Sequence, residues 1–128
     1  MDLQSTLISI KRLVDDCEET IKEGKLAIST RSLERASKFI DLTRSMTSYA
    51  LQALLDAKSI IDLNKEDDKL VKYISVYYRT ALLVSLPYIS TILKELIDVL
   101  DSQMHADKAR EASHLLQILE EIRSTLRA

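Results

Sequence analysis

Glycine and proline are almost absent from this sequence, which contains one of each in 128 residues. Tight turns, β-hairpins and phosphate-binding loops depend on glycine, because it adopts backbone conformations that other residues rarely reach. The scarcity therefore excludes a turn-rich fold and any P-loop or dinucleotide fingerprint. Long helices need neither residue, so the sequence predicts an all-α protein.

Cysteine is limited to Cys17, and neither sign of charge is in large excess. One cysteine cannot form an internal disulfide or a zinc site built from several cysteines, and a lone thiol fits a reducing compartment. The 18 Lys and Arg residues and 20 Asp and Glu residues leave a net charge of −2. This balance argues against a strongly basic nucleic-acid binder, although it is compatible with a local basic patch.

Long hydrophobic runs and a secretory signal are also missing. The longest run without a charged residue is 80–93, which has 14 residues, whereas a membrane span needs about 20. The first residues lack the basic and apolar segments of a secretory signal. We therefore expect a cytoplasmic protein without a membrane partner. The length and the 46% hydrophobic content fit one packed domain that covers residues 1–128.

Apolar residues at alternating spacings of three and four mark the first helix. The members of this seam are Leu3, Leu7, Ile10, Val14, Cys17 and Ile21. The seam predicts a helix from about Asp2 to Glu23, and Gly24 is predicted to end it as a left-handed C-cap. A short connector, 25–28, is then expected before the N-cap of the next helix, for which the candidates are Ser29, Thr30 and Ser32.

Three further helices are predicted from the same periodicity, with polar breaks between them. The helices cover 33–63, 70–100 and about 106–126, and the breaks are 64–68 and 101–107. Pro87 is expected to kink or split the third helix, because it removes a backbone donor. The predicted architecture is an antiparallel, up-down-up-down four-helix bundle with a long central hairpin made of the second and third helices.

Basic residues are concentrated between positions 22 and 44, where six positive and three negative residues give a local charge of +3. Arg31, Arg35 and Lys38 are spaced by four and three, so they share one face of the second helix. One interpretation is a phosphate-contacting face. Its candidate residues are Lys22, Lys25, Arg31, Arg35, Lys38 and Arg44. The alternative is pairing with the acidic part of the first helix, 15–19.

Tyrosines cluster in the third predicted helix at Tyr73, Tyr77, Tyr78 and Tyr88. Aromatic residues can stack on nucleobases, but at helical spacing they more often belong to a core or to a protein interface. Tyrosine is also enriched at protein–protein contacts. These four residues are therefore predicted to form a core or interface cluster.

Arg110 and His114 lie four positions apart on the last helix. In this respect the chain loosely resembles the HEPN family of helical bundles, whose ribonuclease members carry an arginine followed after four to six residues by a histidine, whereas here three residues intervene. The resemblance implies an RNA-cleaving dyad of these two residues. Glu111 and His114 also form a Glu-x-x-His pair, but a di-iron site needs two such pairs and the chain has one. No metal or cofactor is predicted.

Taken together, the residues favour a non-catalytic helical interaction protein, a small subunit or adaptor of a homo- or hetero-oligomeric assembly. No catalytic motif and no small-molecule ligand is indicated. The alternatives are a nucleic-acid-binding helical subunit that uses the basic face and a HEPN-like ribonuclease.

Overall fold

The computed structural model describes residues 2–63 and 68–127, and almost all of them are helical. In chain order the elements are α1 (Leu3–Thr30), α2 (Leu33–Leu63), α3 (Lys69–Arg79), a π-helical segment (Thr80–Ser85), α4 (Leu86–Ser102) and α5 (Ala106–Arg127). No β-strand occurs in the two described ranges. The predicted all-α class is therefore confirmed.

The end of α1 differs from its prediction. The helix continues through Gly24 to Thr30, so the predicted C-cap at Gly24 and the connector at 25–28 are wrong. The residue in the left-handed conformation is instead Arg31, with φ of 54°. The second helix begins at Leu33 as predicted, and Ser32 is its side-chain cap, because the Ser32 hydroxyl accepts from the backbone N–H of Arg35 at 3.3 Å.

Gly24 is buried inside α1 and lies where two other helices come closest to it. A Cβ atom at this position would lie 2.7 Å from Cγ2 of Ile92 and 2.8 Å from Cε1 of Phe39. Phe39 belongs to α2 and Ile92 to α4, and both are buried. The missing side chain therefore lets α1 approach both helices.

The third predicted helix runs from Lys69 to Ser102 in three parts, α3, the π-helical segment and α4. The π-helical segment ends two residues before Pro87, and the Leu86 N–H donates to the carbonyl of Ala81, five residues earlier. Pro87 has no N–H of its own and occupies the first turn of α4, a position that tolerates proline. The hydrogen bonding of the helix thus changes from the α to the π pattern within Thr80–Ser85. The kink predicted at Pro87 stays a prediction.

The last polar break is shorter than predicted, because α4 continues to Ser102 and α5 begins at Ala106, and the first break is described only at Asp68. Asp68 caps α3, since its carboxylate accepts from the backbone N–H of Leu70 at 2.8 Å. Residues 64–67 of that break lie outside the described ranges. Between α4 and α5, Met104 takes a positive φ of 64° and the N–H of His105 donates to the carbonyl of Leu100 at 2.9 Å, which ends the helix in the manner of a left-handed C-cap.

Neighbouring helices are paired as two hairpins that lie side by side. The first consists of α1 and α2, and the second of α4 and α5. Gly24 of α1 faces Ile92 of α4, and Arg31, which follows the last residue of α1, contacts Ser102 at the end of α4. The predicted contact between the second and third helices involves α3, whereas α4 packs mainly against α1 and α5. One hydrophobic core receives residues from all five α-helices.

Replacing Gly24 by alanine is expected to destabilise the protein. Overpacking a tight core costs about 1–3 kcal/mol, and the gain in helix propensity offsets at most about 1 kcal/mol of it. Urea unfolding should therefore show a loss of up to about 2 kcal/mol for Gly24→Ala. In a Phe39→Leu background the same change should cost less, because the smaller side chain can move away. An equal cost in both backgrounds would contradict the close contact.

Candidate functional site

The predicted basic face is largely held in ion pairs that connect α2 to other helices. Arg35 and Lys38 both reach the carboxylate of Glu23 on α1, with N–O distances of 3.1 and 3.7 Å. The Glu23 side chain is only 9% exposed, whereas those of Arg35 and Lys38 are 46% and 60% exposed. A buried carboxylate needs such partners, because an unpaired one would lose its hydration without compensation.

The acidic partner of this cluster is therefore different from the one that the sequence suggested. Pairing with the first helix was one of the two predicted interpretations, but residues 15–19 were named as its acidic part. The structure places Glu23 in this role. The sequence contains Glu23 directly before Gly24. Because the helix was predicted to end at Gly24, Glu23 was not considered as a partner of the basic residues.

The two ends of the basic cluster contact the second hairpin. Arg31 donates to the hydroxyl of Ser102 at 3.0 Å, and the side-chain amide of Gln103 donates to the Arg31 carbonyl at 2.9 Å. At the other end, Arg44 pairs with Asp41 and with Glu111 of α5, each at 3.1 Å. These contacts are structural, because they join the two hairpins.

Glu111 is held by two cations, one from its own helix and one from α2. The Lys108 ammonium lies 3.1 Å from one oxygen of the Glu111 carboxylate, and Arg44 contacts the other oxygen. The hydrogen bond from Lys108, with the charges of Lys108 and Arg44, lowers the pKa of Glu111 below its ordinary value. Its role in the structure is therefore that of a counter-ion.

Lys22 and Lys25 differ from the other four basic residues. They line a shallow surface depression together with Glu18, Ile21 and Leu26. The Lys25 ammonium lies 5.0 Å from the ring centroid of Tyr88, within the range of a cation–π contact. Within residues 2–63 and 68–127, the Lys22 side chain has no ion pair or hydrogen bond. The six predicted contact residues therefore do not form one set of free cations.

The four predicted tyrosines divide into two pairs. Tyr77 and Tyr78 are partly buried and pack against the core, and burial, with the charge of Asp62, raises the pKa of Tyr78. Tyr73 and Tyr88 are 46% and 42% exposed. The core and the interface interpretations therefore each fit one pair.

Three aliphatic residues that the sequence did not single out lie exposed between Tyr73 and Tyr88. Val76, Leu83 and Val84 are 57%, 66% and 60% exposed. We call the five residues together the exposed stripe: Tyr73, Val76, Leu83, Val84 and Tyr88. The sequence did contain a signal for the stripe. The third predicted helix is apolar around most of its circumference, and a helix with only one buried side leaves some of those residues exposed.

One helix among the described residues is long and apolar enough, by length and composition alone, to cross a membrane. It is the 69–102 helix, and 44% of its most apolar 18-residue window is buried inside the protein. Core helices pass the same test, so the observation describes the apolar character of this helix and no more.

Arg110 and His114 lie on the exposed side of α5 and line one surface depression with Arg44, Asp107 and Glu111. The Arg110 guanidinium pairs with Asp107 at 3.3 Å, and the two side chains are 76% and 95% exposed. The structure thus brings the two residues of the HEPN-like pattern to one surface. Among the described residues, no group of three or more His, Cys, Asp or Glu side chains could hold a metal ion.

A cluster that the sequence did not indicate joins α1 to α2 at Tyr49. Its hydroxyl donates to the carboxylate of Asp16, and the guanidinium carbon of Arg12 lies 4.5 Å from the Tyr49 ring centroid. Burial and the hydrogen bond to Asp16 raise the pKa of Tyr49 well above its ordinary value. The two partners are separated by 33 positions, so no local pattern could reveal the contact.

No family model, curated protein or solved structure matches this chain.

Glu23→Gln should destabilise the protein by about 1 kcal/mol, because it removes the buried negative charge between two half-exposed cations. The matched control is Asp41→Asn, since Asp41 is 71% exposed in its pair with Arg44. Its effect should stay below about 0.5 kcal/mol in the same urea titration. Equal effects of the two changes would show that Glu23 has no special role.

Cys17 should be unreactive in the folded protein. Burial raises the pKa of its thiol from the ordinary value of 9.0 to about 12, so almost no thiolate exists at pH 8. A disulfide reagent should label Cys17 fully in denaturant and only slowly without it. Labelling at the same rate in both conditions would contradict the buried position.

The same pKa difference has a consequence for stability at alkaline pH. Because the folded pKa lies above the unfolded one, the contribution of Cys17 is complete below about pH 9 and is lost as the pH rises toward 12. The free energy of unfolding should therefore fall over this range, and the fall should be smaller in Cys17→Ala.

Proposed function

We propose that this protein is a non-catalytic helical interaction protein, a small subunit or adaptor of a larger assembly. The observation that carries the proposal is the exposed stripe on the 69–102 helix, in which five large apolar or aromatic side chains are between 42% and 66% exposed. Exposed apolar side chains concentrated on one helix in this way are typical of interaction sites in soluble proteins. Tyrosine at its two ends fits a protein interface.

The position of the stripe supports the same proposal. The opposite side of the helix is buried in the core at Ile74, Ala81, Ile89 and Leu93. One side of this helix therefore already contributes to the core, and the stripe lies on the side that the core does not cover. Ten large hydrophobic residues of the described ranges are exposed, and five of them belong to this one stripe.

For the architecture we propose a single antiparallel four-helix bundle of residues 1–128, with helix directions that alternate along the chain. The two hairpins and their shared core support it. In this arrangement α1 and the 69–102 helix are parallel neighbours, which leaves the stripe on the outer surface.

The stripe can be tested with a matched pair of surface variants. Leu83→Glu introduces a charge in the stripe, and Ile8→Glu introduces the same charge on α1 at a residue of similar exposure, 66% against 68%. Cross-linking in native extract should give protein adducts with the wild type and with Ile8→Glu, and fewer with Leu83→Glu. Identical adducts for all three chains, or none for the wild type, would count against an interaction role.

A second candidate function is nucleic-acid binding through the basic residues of α1 and α2. The observation that favours it is the exposure of Arg35 and Lys38, whose side chains are half outside despite their pairing with Glu23. Binding of this kind is driven by phosphate contacts and weakens steeply with salt.

The nucleic-acid candidate predicts that an RNA or DNA oligonucleotide binds with an affinity that falls as salt is raised. Arg31→Glu together with Arg35→Glu should weaken this binding at least about tenfold. Arg110→Glu, on another helix, is the matched control and should have little effect. Absence of binding at low salt would exclude this candidate.

A further inference from the structure

The charges on the outer face of the 69–102 helix are arranged with opposite signs at its two ends. Lys69 and Lys72 lie before the exposed stripe, and Glu95 and Asp98 lie after it. All four side chains are exposed. Between Arg79, which lies inside the stripe, and Lys94, which precedes Glu95, no residue is charged. The second end carries Lys94 with Glu95, Asp98 and Asp101, so it is acidic in net charge while the first end is basic.

These charges are placed symmetrically about the centre of the stripe. Lys69 lies 14 positions before Leu83, and Asp98 lies 14 positions after Val84. Lys72 lies 11 positions before Leu83, and Glu95 lies 11 positions after Val84. A two-fold axis through the midpoint of Leu83 and Val84 therefore brings Lys69 of one chain opposite Asp98 of another, and Lys72 opposite Glu95.

We infer that the exposed stripe binds a second copy of this chain, with the two 69–102 helices antiparallel and Leu83 and Val84 at the two-fold axis. This inference rests on the proposed interaction role and names its partner. A two-fold interface repeats every contact, so Lys69–Asp98 and Lys72–Glu95 each occur twice around the apolar centre. The contact line is roughly 45 Å long, at about 1.5 Å per residue.

The charges favour an antiparallel second copy over a parallel copy and over an anionic membrane. A parallel copy would place lysine against lysine at one end and acid against acid at the other, which is unfavourable. An anionic membrane would attract the basic end but repel the end that carries Glu95, Asp98 and Asp101. A second, antiparallel copy satisfies both ends with the residues of the chain itself.

Sedimentation equilibrium of the full chain should show a dimer that dissociates on dilution. Leu83→Glu places two negative charges near the two-fold axis, and the dissociation constant should rise at least about tenfold. Ile8→Glu should leave it unchanged. Circular dichroism of each variant checks that the helices are still formed.

A charge exchange tests the antiparallel register itself. Lys72→Glu or Glu95→Lys alone should weaken the dimer by about threefold to tenfold, because two copies of one ion pair become repulsive. The double variant Lys72→Glu with Glu95→Lys restores opposite charges across the axis and should recover most of the affinity. Additive losses in the double variant would overturn the antiparallel register.

The outcomes also separate this inference from the proposed function. A chain that is monomeric at high concentration, or a dimer that Leu83→Glu does not weaken, overturns the inference. If such a monomer still loses cross-linked protein adducts on Leu83→Glu, the interaction role stands and its partner is a different protein. Binding of the wild type to anionic vesicles, lost in Leu83→Glu, would assign the stripe to a membrane surface and overturn both.

Discussion

The close approach at Gly24 is the constraint on which the rest of the packing depends. At this point the backbone of α1 meets Phe39 from α2 and Ile92 from α4, with no room for a Cβ atom. Interior positions are packed as densely as organic crystals, so helix axes that meet this closely fix each other's positions. The two hairpins are thereby joined through one residue of α1. The only glycine in the chain is used for contact between helices and not for a turn.

The electrostatics of the molecule follow from that contact. Glu23 precedes Gly24 and is carried into the interior with it, where Arg35 and Lys38 neutralise the carboxylate. The basic residues that the sequence predicts as phosphate contacts are therefore partly engaged in ion pairs between α2 and α1. Similar commitments at Arg31 and Arg44 join the two hairpins at both ends of α2. Local surplus charge in a sequence need not appear as free charge on the surface.

Much of the fold could be predicted from the sequence, and the errors have physical causes. The bounds of α2 at Leu33 and Leu63 and the start of α5 at Ala106 agree with the periodicity, because long amphipathic helices carry a strong repeated signal. The predicted end of α1 was wrong, because a single sequence does not distinguish a glycine that ends a helix from one that allows a close contact between helices. The candidate site was less predictable: the contacts of Glu23 and of Tyr49 join residues that are distant along the chain. The exposure of Leu83 and Val84 depends on which side of an all-apolar helix faces inward, and composition carries no such information.

The π-helical segment decides that side. Buried positions recur seven residues apart from Ile74 to Ala81, then eight apart to Ile89, and seven apart again to Leu96. The extra residue lies within or next to Thr80–Ser85, where the helix is wound more widely. If Thr80–Ser85 were wound as an ordinary α-helix of the same length, Tyr88, seven positions after Ala81, would turn inward and Ile89 would turn away from the core. The inward and outward sides of the second half of this helix are thus determined by one wide turn. Loss of one residue within that turn would leave Ile89 facing inward in an uninterrupted α-helix.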